Sequence, residues 1–322
     1  MAQNYGFSTE GNTIVGDFKS QIKDRTFLIT GPSEGGLGAE TAISLAHGSP
    51  SKIILLGRTI AKIQPTINAI SSISTSILVK FVPINLDSLS SIRAAAKQIL
   101  EDDEIPNLDV VINNAAIMVC PFKTTEDGYE SQFATNYLSH FLLTNLLMPK
   151  ILKSNFPRVV NVSSSAHTMG SVRFHDLSFK DGQDYDVWQA YGQSKTANIL
   201  FSVELNARGV KSFSLHPGSI ASQLQQYVTE DIRNAGYKAF VASGQSLSST
   251  KVKTLQQGCA TTLRAALDPT LEIVARDGKE SCYLVDSQIV TDKPVSEYAL
   301  DKENAKKLWK LSEEMVGETF AW

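Results

Sequence analysis

Six short apolar runs set the strongest limit on what this chain can fold into: RTFLIT at 25–30, KIILLG at 52–57, LVKFVPI at 78–84, DVVIN at 109–113, RVVNVS at 158–163 and VKSFSLH at 210–216. Their hydrophobicity is continuous rather than alternating, as in strands buried on both faces, and amphipathic segments of helical length separate them. Helices are expected over 36–47, 88–101, 127–152 and 189–208, and a seventh strand at SCYLV, 281–285. This is a doubly wound α/β pattern, a parallel sheet covered by helices on both faces. No repeat, proline-rich linker or compositional break interrupts it, so residues 1–322 are expected to form one domain. Two regions stand outside the rhythm. Residues 1–24 read as an N-terminal extension with a short helix at 13–22, and residues 219–257 are polar, rich in Gln and Ser, and weakly periodic. Ligands of open α/β sheets bind beyond the carboxyl ends of the strands, so the second region, following the strand at 210–216, is expected to be a substrate lid.

Charge and cysteine usage narrow the partners. Thirty Lys and Arg against 33 Asp and Glu leave a net charge of −3, which gives no reason to expect nucleic acid or an anionic membrane. Three cysteines, an odd number without CxxC spacing, indicate neither a disulfide framework nor a metal site. The polar N-terminus does not read as a signal peptide, and the most apolar stretch, HFLLTNLLMPKIL, is broken by Asn145, Pro149 and Lys150. That is short of the ~20 residues of a membrane span. The expectation is a cytoplasmic protein with no membrane span.

Between the first strand and the first long helix lies GPSEGGLG, with Gly31, Gly35, Gly36 and Gly38. Glycine lets backbone N–H groups approach a pyrophosphate, and a helix N-terminus favours anions. The strict G-x-G-x-x-G spacing fails, however, because Thr41 stands where the third glycine would follow Gly36 and Gly38. The loop alone therefore fits a phosphate cradle or an ordinary turn. The next strand weighs on that choice. It ends in LLGRT, placing Arg58 about 20 residues after the glycines, where dinucleotide folds carry an acid for a ribose hydroxyl or an Arg for a 2′-phosphate. A guanidinium can hold a phosphate through two donors, so NADP(H) is expected over NAD(H).

YGQSK places Tyr191 and Lys195 four residues apart on a helix, side by side. A nearby ammonium favours the phenolate and would bring a phenol toward a useful acid/base range. Tyr298 and Lys302 in YALDK repeat the spacing, so spacing alone does not decide. Only the first pair follows a buried strand that ends in hydroxyls, Ser163, Ser164 and Ser165, at the edge where a substrate oxygen could be held.

Taken together these motifs resemble the short-chain dehydrogenase/reductase superfamily, in its retinol-dehydrogenase-like branch and among its fungal members, over residues 20–318. TGPSEGGLG at 30–38 is similar to the family's cofactor loop, NNAA at 113–116 to its sheet-stabilising motif, and NYLSHFLLTNLLMP at 136–149 to the following helix. RVVNVSSSAH at 158–167, YGQSK and HPGSIAS at 216–222 match the catalytic strand, catalytic pair and nicotinamide segment, and LWKLSEEMVGETF at 308–320 is similar to the fungal C-terminus. The resemblance implies a Rossmann fold with a seven-stranded parallel sheet in the order 3-2-1-4-5-6-7. It implies NADP(H) as cofactor and reversible hydride transfer between a carbonyl and an alcohol. A non-catalytic NADP(H)-binding regulatory or scaffold protein on the same fold is the alternative.

Residue by residue, the resemblance makes Tyr191 the acid/base, Ser164 the group that positions the substrate oxygen, with Ser163 as fallback, Lys195 the ligand of the nicotinamide ribose, and Asn136 the holder of a relay water. Gly31, Gly36 and Gly38 become the three loop glycines, followed by Leu37. One extra residue within PSEG then puts Ser33 beside Arg58 as a partner for the 2′-phosphate. Asn85 and Leu86 would meet the adenine, with Asn85 in place of the usual Asp. Asn113 and Ala115 would line the ribose region, Ala116 standing in a glycine's place, and Pro217, Gly218, Ile220 and Ser222 would contact the nicotinamide half. Substrate contacts are expected from 118–120, 167–170, Tyr185, Trp188 and the lid, suiting a medium-sized, partly apolar metabolite. Helices 127–152 and 189–208 would serve a homodimer, with a monomer as the other arrangement.

Overall fold

In a computed structural model of the chain, which describes residues 4–246, 251–276, 279–290 and 294–322, the six apolar runs form strands β1 to β6. They are Thr26–Thr30, Lys52–Gly57, Leu78–Pro83, Val110–Asn113, Arg158–Val162 and Ser212–His216. Two further strands, β7 (Tyr283–Val285) and β8 (Gln288–Ile289), extend the sheet to eight in the order β8-β7-β6-β5-β4-β1-β2-β3. The expected parallel order of seven is present. The addition is β8, a two-residue strand antiparallel to β7 and too short to leave an apolar run in the sequence. Ser281 belongs instead to a separate hairpin with 274–276.

Side chains of successive strand residues point to opposite faces, so each apolar run supplies two cores. Leu28, Ile54, Val111 and Val159 face α4 (Leu89–Leu100), α5 and α6 (Val187–Ala207). Here α5 comprises Ser131–Phe133, a π-helical turn Ala134–Leu138 and Ser139–Ile151. Phe27, Ile29, Ile53 and Val160 face the other layer, α1 (Gly11–Asp17), α2 (Leu37–Ala46), α3 (Ile60–Ile73) and α8 (Leu255–Leu267). The N-terminal helix starts two residues before the expected 13 and ends at Asp17, with Lys19–Gln21 as a 3-10 turn. It seats tightly: a Cβ on Gly11 would overlap Cys259 Sγ, and Asn12 N–H donates to Gln256 Oε1 at 2.9 Å.

The region expected as a lid carries its own structure. Ser219–Ile220 pairs in parallel with Val252–Lys253, and between them α7 (Glu230–Ala242) begins at a Thr229 cap. Residues 255–257 are not part of it; Thr254 caps α8 through a capping box with Gln257, so the helix takes them. Residues 247–250 lie outside the described residues. Among the described residues no helix is long and apolar enough to cross a membrane.

Candidate active site

A cavity of about 1430 Å³ is lined by the segments that follow the carboxyl ends of the parallel strands. At one end lies the glycine loop. Gly31 has φ +69°, and a Cβ there would sit 2.9 Å from Ala115 Cα. Gly38 lies beneath the cavity wall rather than on it: a Cβ would meet Asn114 Nδ2 at 2.5 Å and Gly31 O at 2.6 Å. Gly36 caps α2, and Gly36 and Leu37 line the cavity, so the helix N-terminus opens onto it. The longer first half of the loop is folded onto α3: Glu34 N–H donates to Lys62 O at 3.2 Å and Thr66 Oγ1 to Pro32 O at 3.0 Å. That places Ser33, Arg58 and Lys62 in the wall of the same cavity, with Asn85 and Leu86 lining it from the end of β3. Lys62 was not singled out from the sequence, where it reads as a solvated helix lysine four residues past Arg58.

Ser164, Tyr191 and Lys195 line the cavity together. The three serines divide by hydrogen bonding. Ser163 Oγ donates to Lys195 O at 2.7 Å, whereas the Ser164 hydroxyl caps the turn Ser165–Met169 and favours the ionised form of Tyr191. Ser164 is thus the serine whose hydroxyl acts on the tyrosine from the same cavity wall. Tyr191 is 3% exposed, and burial pushes its phenol well above the ordinary value, with Ser164 pulling the other way. Burial likewise lowers Lys195 to about 7; its Nζ donates to Val162 O at 2.9 Å and lies 5.6 Å from the Tyr191 ring centroid. The help expected from an ammonium is therefore not what dominates Tyr191: desolvation does, and it weakens the ammonium itself.

Pro217, Gly218, Ile220 and Ser222 line the cavity beyond Lys195, as does Ala115. Besides Gly38, two expected residues of the cofactor and catalytic set do not reach it. Asn113, the last residue of β4, turns its amide into the opposite layer, donating to Thr144 Oγ1 at 3.0 Å and Asn161 Oδ1 at 2.9 Å. Its neighbour Asn114 lines the wall instead and donates to Thr30 O at 2.9 Å. Asn136 is fully buried behind the wall: it accepts from Ile117 N–H at 2.8 Å and donates to Ile117 O and Ser194 Oγ, each at 2.9 Å. Both amide N–H groups and one of the two Oδ1 lone pairs are therefore taken by the protein. It sits in the π-helical turn of α5, a local irregularity often found at functional sites.

On the substrate side Met118, Met169 and Trp188 line the cavity, but Val119, Cys120, His167 and Tyr185 do not. His167 is a packing residue, with ring nitrogens on Ser164 O and Ser296 N–H. Tyr185 donates to Glu130 Oε1 at 3.0 Å. The second Tyr-Lys pair also resolves: Tyr298 donates to His167 O and Lys302 pairs with Glu280, away from the cavity. At the far wall, three residues with no motif in the sequence to join them form a cluster, where Lys253 meets Asp286 at 2.5 Å beneath the Phe7 ring. A Cβ on Gly218 would strike the Lys253 stem at 2.6 Å, so this glycine, at φ +102°, admits the lysine. His216 lines the cavity beside this group; burial and the Lys253 charge lower it to about 4.

The chain is similar in sequence and fold to known proteins. A family model described as short chain dehydrogenase matches residues 25–176. Short-chain dehydrogenase/reductase prx1 of Penicillium roqueforti is 38% identical over 312 residues, covering 92% of this chain and 86% of the relative. The chain belongs to the short-chain dehydrogenase/reductase family. Human retinol dehydrogenase 11 is 35% identical over 301 residues, covering 92% of this chain and 87% of its own, which makes this a retinol-dehydrogenase-like member. A crystal structure of an uncharacterized protein from Mycobacterium paratuberculosis shares 31% identity at a TM-score of 0.65, covering 93% of this chain and 96% of that one. NADPH-bound carbonyl reductase from chicken fatty liver shares the fold at 19% identity and a TM-score of 0.52, covering 77% and 92%.

Within the family frame, the surface expected for pairing is covered from within. The C-terminal helix α9 (Lys302–Val316) and its tail lie on α5 and α6. The Trp309 ring centroid is 5.0 Å from that of Phe141, Tyr137 bonds Ser312 at 2.7 Å, and Trp322 Nε1 donates to Asn145 Oδ1 at 2.9 Å.

Proposed function

We propose that this protein is an NADP(H)-dependent oxidoreductase that interconverts a carbonyl and an alcohol. The observation that carries the reading is one cavity wall holding Ser164, Tyr191 and Lys195 together with a glycine cradle and a phosphate-binding edge. The cradle suits a dinucleotide: Gly31 and Gly38 occupy places where a Cβ would collide, and the α2 N-terminus, opening onto the cavity, would hold a pyrophosphate. Ser33, Arg58 and Lys62 suit a further phosphate on the adenosine side. Some solved structures of the same fold are described with NADPH or NADP, while the choice of cofactor here rests on Ser33, Arg58 and Lys62.

When bound, the nicotinamide supplies or accepts the hydride. Ser164 and Tyr191 hold the carbonyl oxygen by hydrogen bonds, and Tyr191 gives it the proton in the reducing direction or takes it in the other. A phenol pushed up by burial is fully protonated and ready to donate; for it to act as a base, the phenolate must be stabilised by Ser164 and the Lys195 charge. Lys195, fixed by Val162 O and lying over the Tyr191 ring, orients that face of the site. Asn136 acts as a positioning residue, clamping Ile117 and Ser194 behind the wall. Met118, Met169, Trp188, Val228 and Phe240 give the substrate side an apolar surface, suited to a medium-sized, partly apolar metabolite. Purified protein incubated with aldehydes and ketones should consume NADPH, and NADH far less. Silence across a broad panel, with NADPH bound tightly, would favour the non-catalytic alternative.

A further inference from the structure

The lid helix turns one face to the cavity. Arg233, Gly236, Tyr237 and Phe240, spaced i, i+3, i+4 and i+7, all line it. Trp188 fixes that orientation: its Nε1 donates to Ile232 O at 2.7 Å, and a Cβ on Gly236 would meet the indole at 2.5 Å. Trp188 in turn stands edge-on to Tyr191, ring centroids 6.4 Å apart. Outward from the tyrosine, then, the wall passes from Trp188 to the helix that bears Arg233.

The charges of the lining are unevenly paired. Of its carboxylates, Glu34 and Asp87 belong to the dinucleotide end, beside the glycine loop and the end of β3, and Asp286 is taken by Lys253. On the lid side stand two cations, Arg233 and Lys251, and neither has an ion pair among the described residues. Glu230 and Asp231, in the first turn of the same helix, do not pair with Arg233. Both residues are exposed to solvent where they line the cavity, so an incoming anion can reach them. A guanidinium and an ammonium at the mouth of a partly enclosed cavity concentrate and hold a carboxylate.

Building on the carbonyl/alcohol reading above, we propose that the substrate is an anion, with a carboxylate at the opposite end of an apolar body from its carbonyl, and that Arg233 and Lys251 receive it at the lid. The test compares an ω-oxo fatty acid with its methyl ester of equal chain length, using NADPH. The acid should show a kcat/KM about tenfold above the ester, mostly through KM, as one charge-assisted contact implies. The preference should shrink as salt is raised. In the double variant Arg233→Gln, Lys251→Gln the ratio of acid to ester should collapse to about one. Equal use of acid and ester by the unaltered protein, or a ratio that survives the double substitution, overturns the proposal. Should neither compound be turned over, it is the carbonyl chemistry that fails. The anion site is then judged by binding of the unreactive fatty acid against its ester, read by tryptophan fluorescence: a preference for the acid that the double variant loses supports it, and no preference refutes it.

Discussion

Replacing Ser33 and Arg58 together with alanine should turn a protein selective for NADPH into one that barely distinguishes it from NADH. Both residues line the end of the cavity where the glycine loop meets α3. Arg58 is exposed there, so its charge-assisted contact with a phosphate belongs at the lower end of the range, about 1.5 kcal/mol, and the serine hydroxyl adds about 1 kcal/mol. The sum of about 2.5 kcal/mol corresponds to about a 60-fold rise in KM for NADPH. Lys62, left in the same wall, keeps one cation in place and sets a floor under the loss. NADH has no phosphate at that position, so its KM should move by less than about twofold. Initial-rate kinetics with each cofactor give the ratio, and fluorescence titration of NADPH without substrate separates binding from turnover. Because the contact is at an exposed edge, the NADPH advantage of the unaltered protein should also narrow as ionic strength rises. Equal weakening of both cofactors would refute the assignment, since it would mean that the substitutions disturbed the loop rather than removed a phosphate contact.

Two further outcomes follow from the packing and the electrostatics. Gly38→Ala drives a methyl into Asn114 and the Gly31 carbonyl, which should cost about 1–3 kcal/mol of stability and abolish NADPH binding; unchanged Tm and titration would show that the cradle has room to spare. Lys195, lowered by burial to about 7, gives up in the folded protein a proton that the unfolded chain holds up to about 10.5. Its burial therefore costs stability below pH 7, and the cost fades as pH rises from 7 toward 10.5. Lys195→Met should accordingly raise the Tm of the cofactor-free protein at pH 7, with a gain that shrinks toward pH 10.5, while turnover is lost. A lower Tm at pH 7 would contradict this account of the lysine.

What could be read from the sequence followed from how strictly each feature is constrained. Strands buried on both faces must be apolar throughout, so β1 to β6 stood out within one or two residues of their observed ends. The pieces β8, 274–276 and 279–281 are two or three residues long, below the length at which a pattern exists. Tyr191 and Lys195 were legible because helical spacing and a hydroxyl-bearing strand coincide, and the rival Tyr298 and Lys302 are held elsewhere by His167 and Glu280. Asn113 went astray through strand alternation: adjacent residues face opposite layers, and the end of β4 places Asn114, not Asn113, in the wall. Asn136 is expected to hold a relay water, and nothing local in the sequence reveals that its amide bonds Ile117 and Ser194. Phe7, Lys253 and Asp286 meet only through the tertiary fold, far apart along the chain. The covering of α5 and α6 by Trp309, Phe320 and Trp322 is likewise a product of tertiary packing.

In the proposed reaction Tyr191, beside Ser164 in the wall of a cofactor cradle, transfers the proton of a carbonyl/alcohol pair. The most direct test is Tyr191→Phe, which removes one hydroxyl and leaves the ring that packs on Trp188. With any carbonyl compound that the unaltered protein reduces, the variant should lose about 10²–10⁴-fold in kcat while binding NADPH with an affinity within about twofold of the original. Retention of turnover in a variant that still binds NADPH would contradict the account.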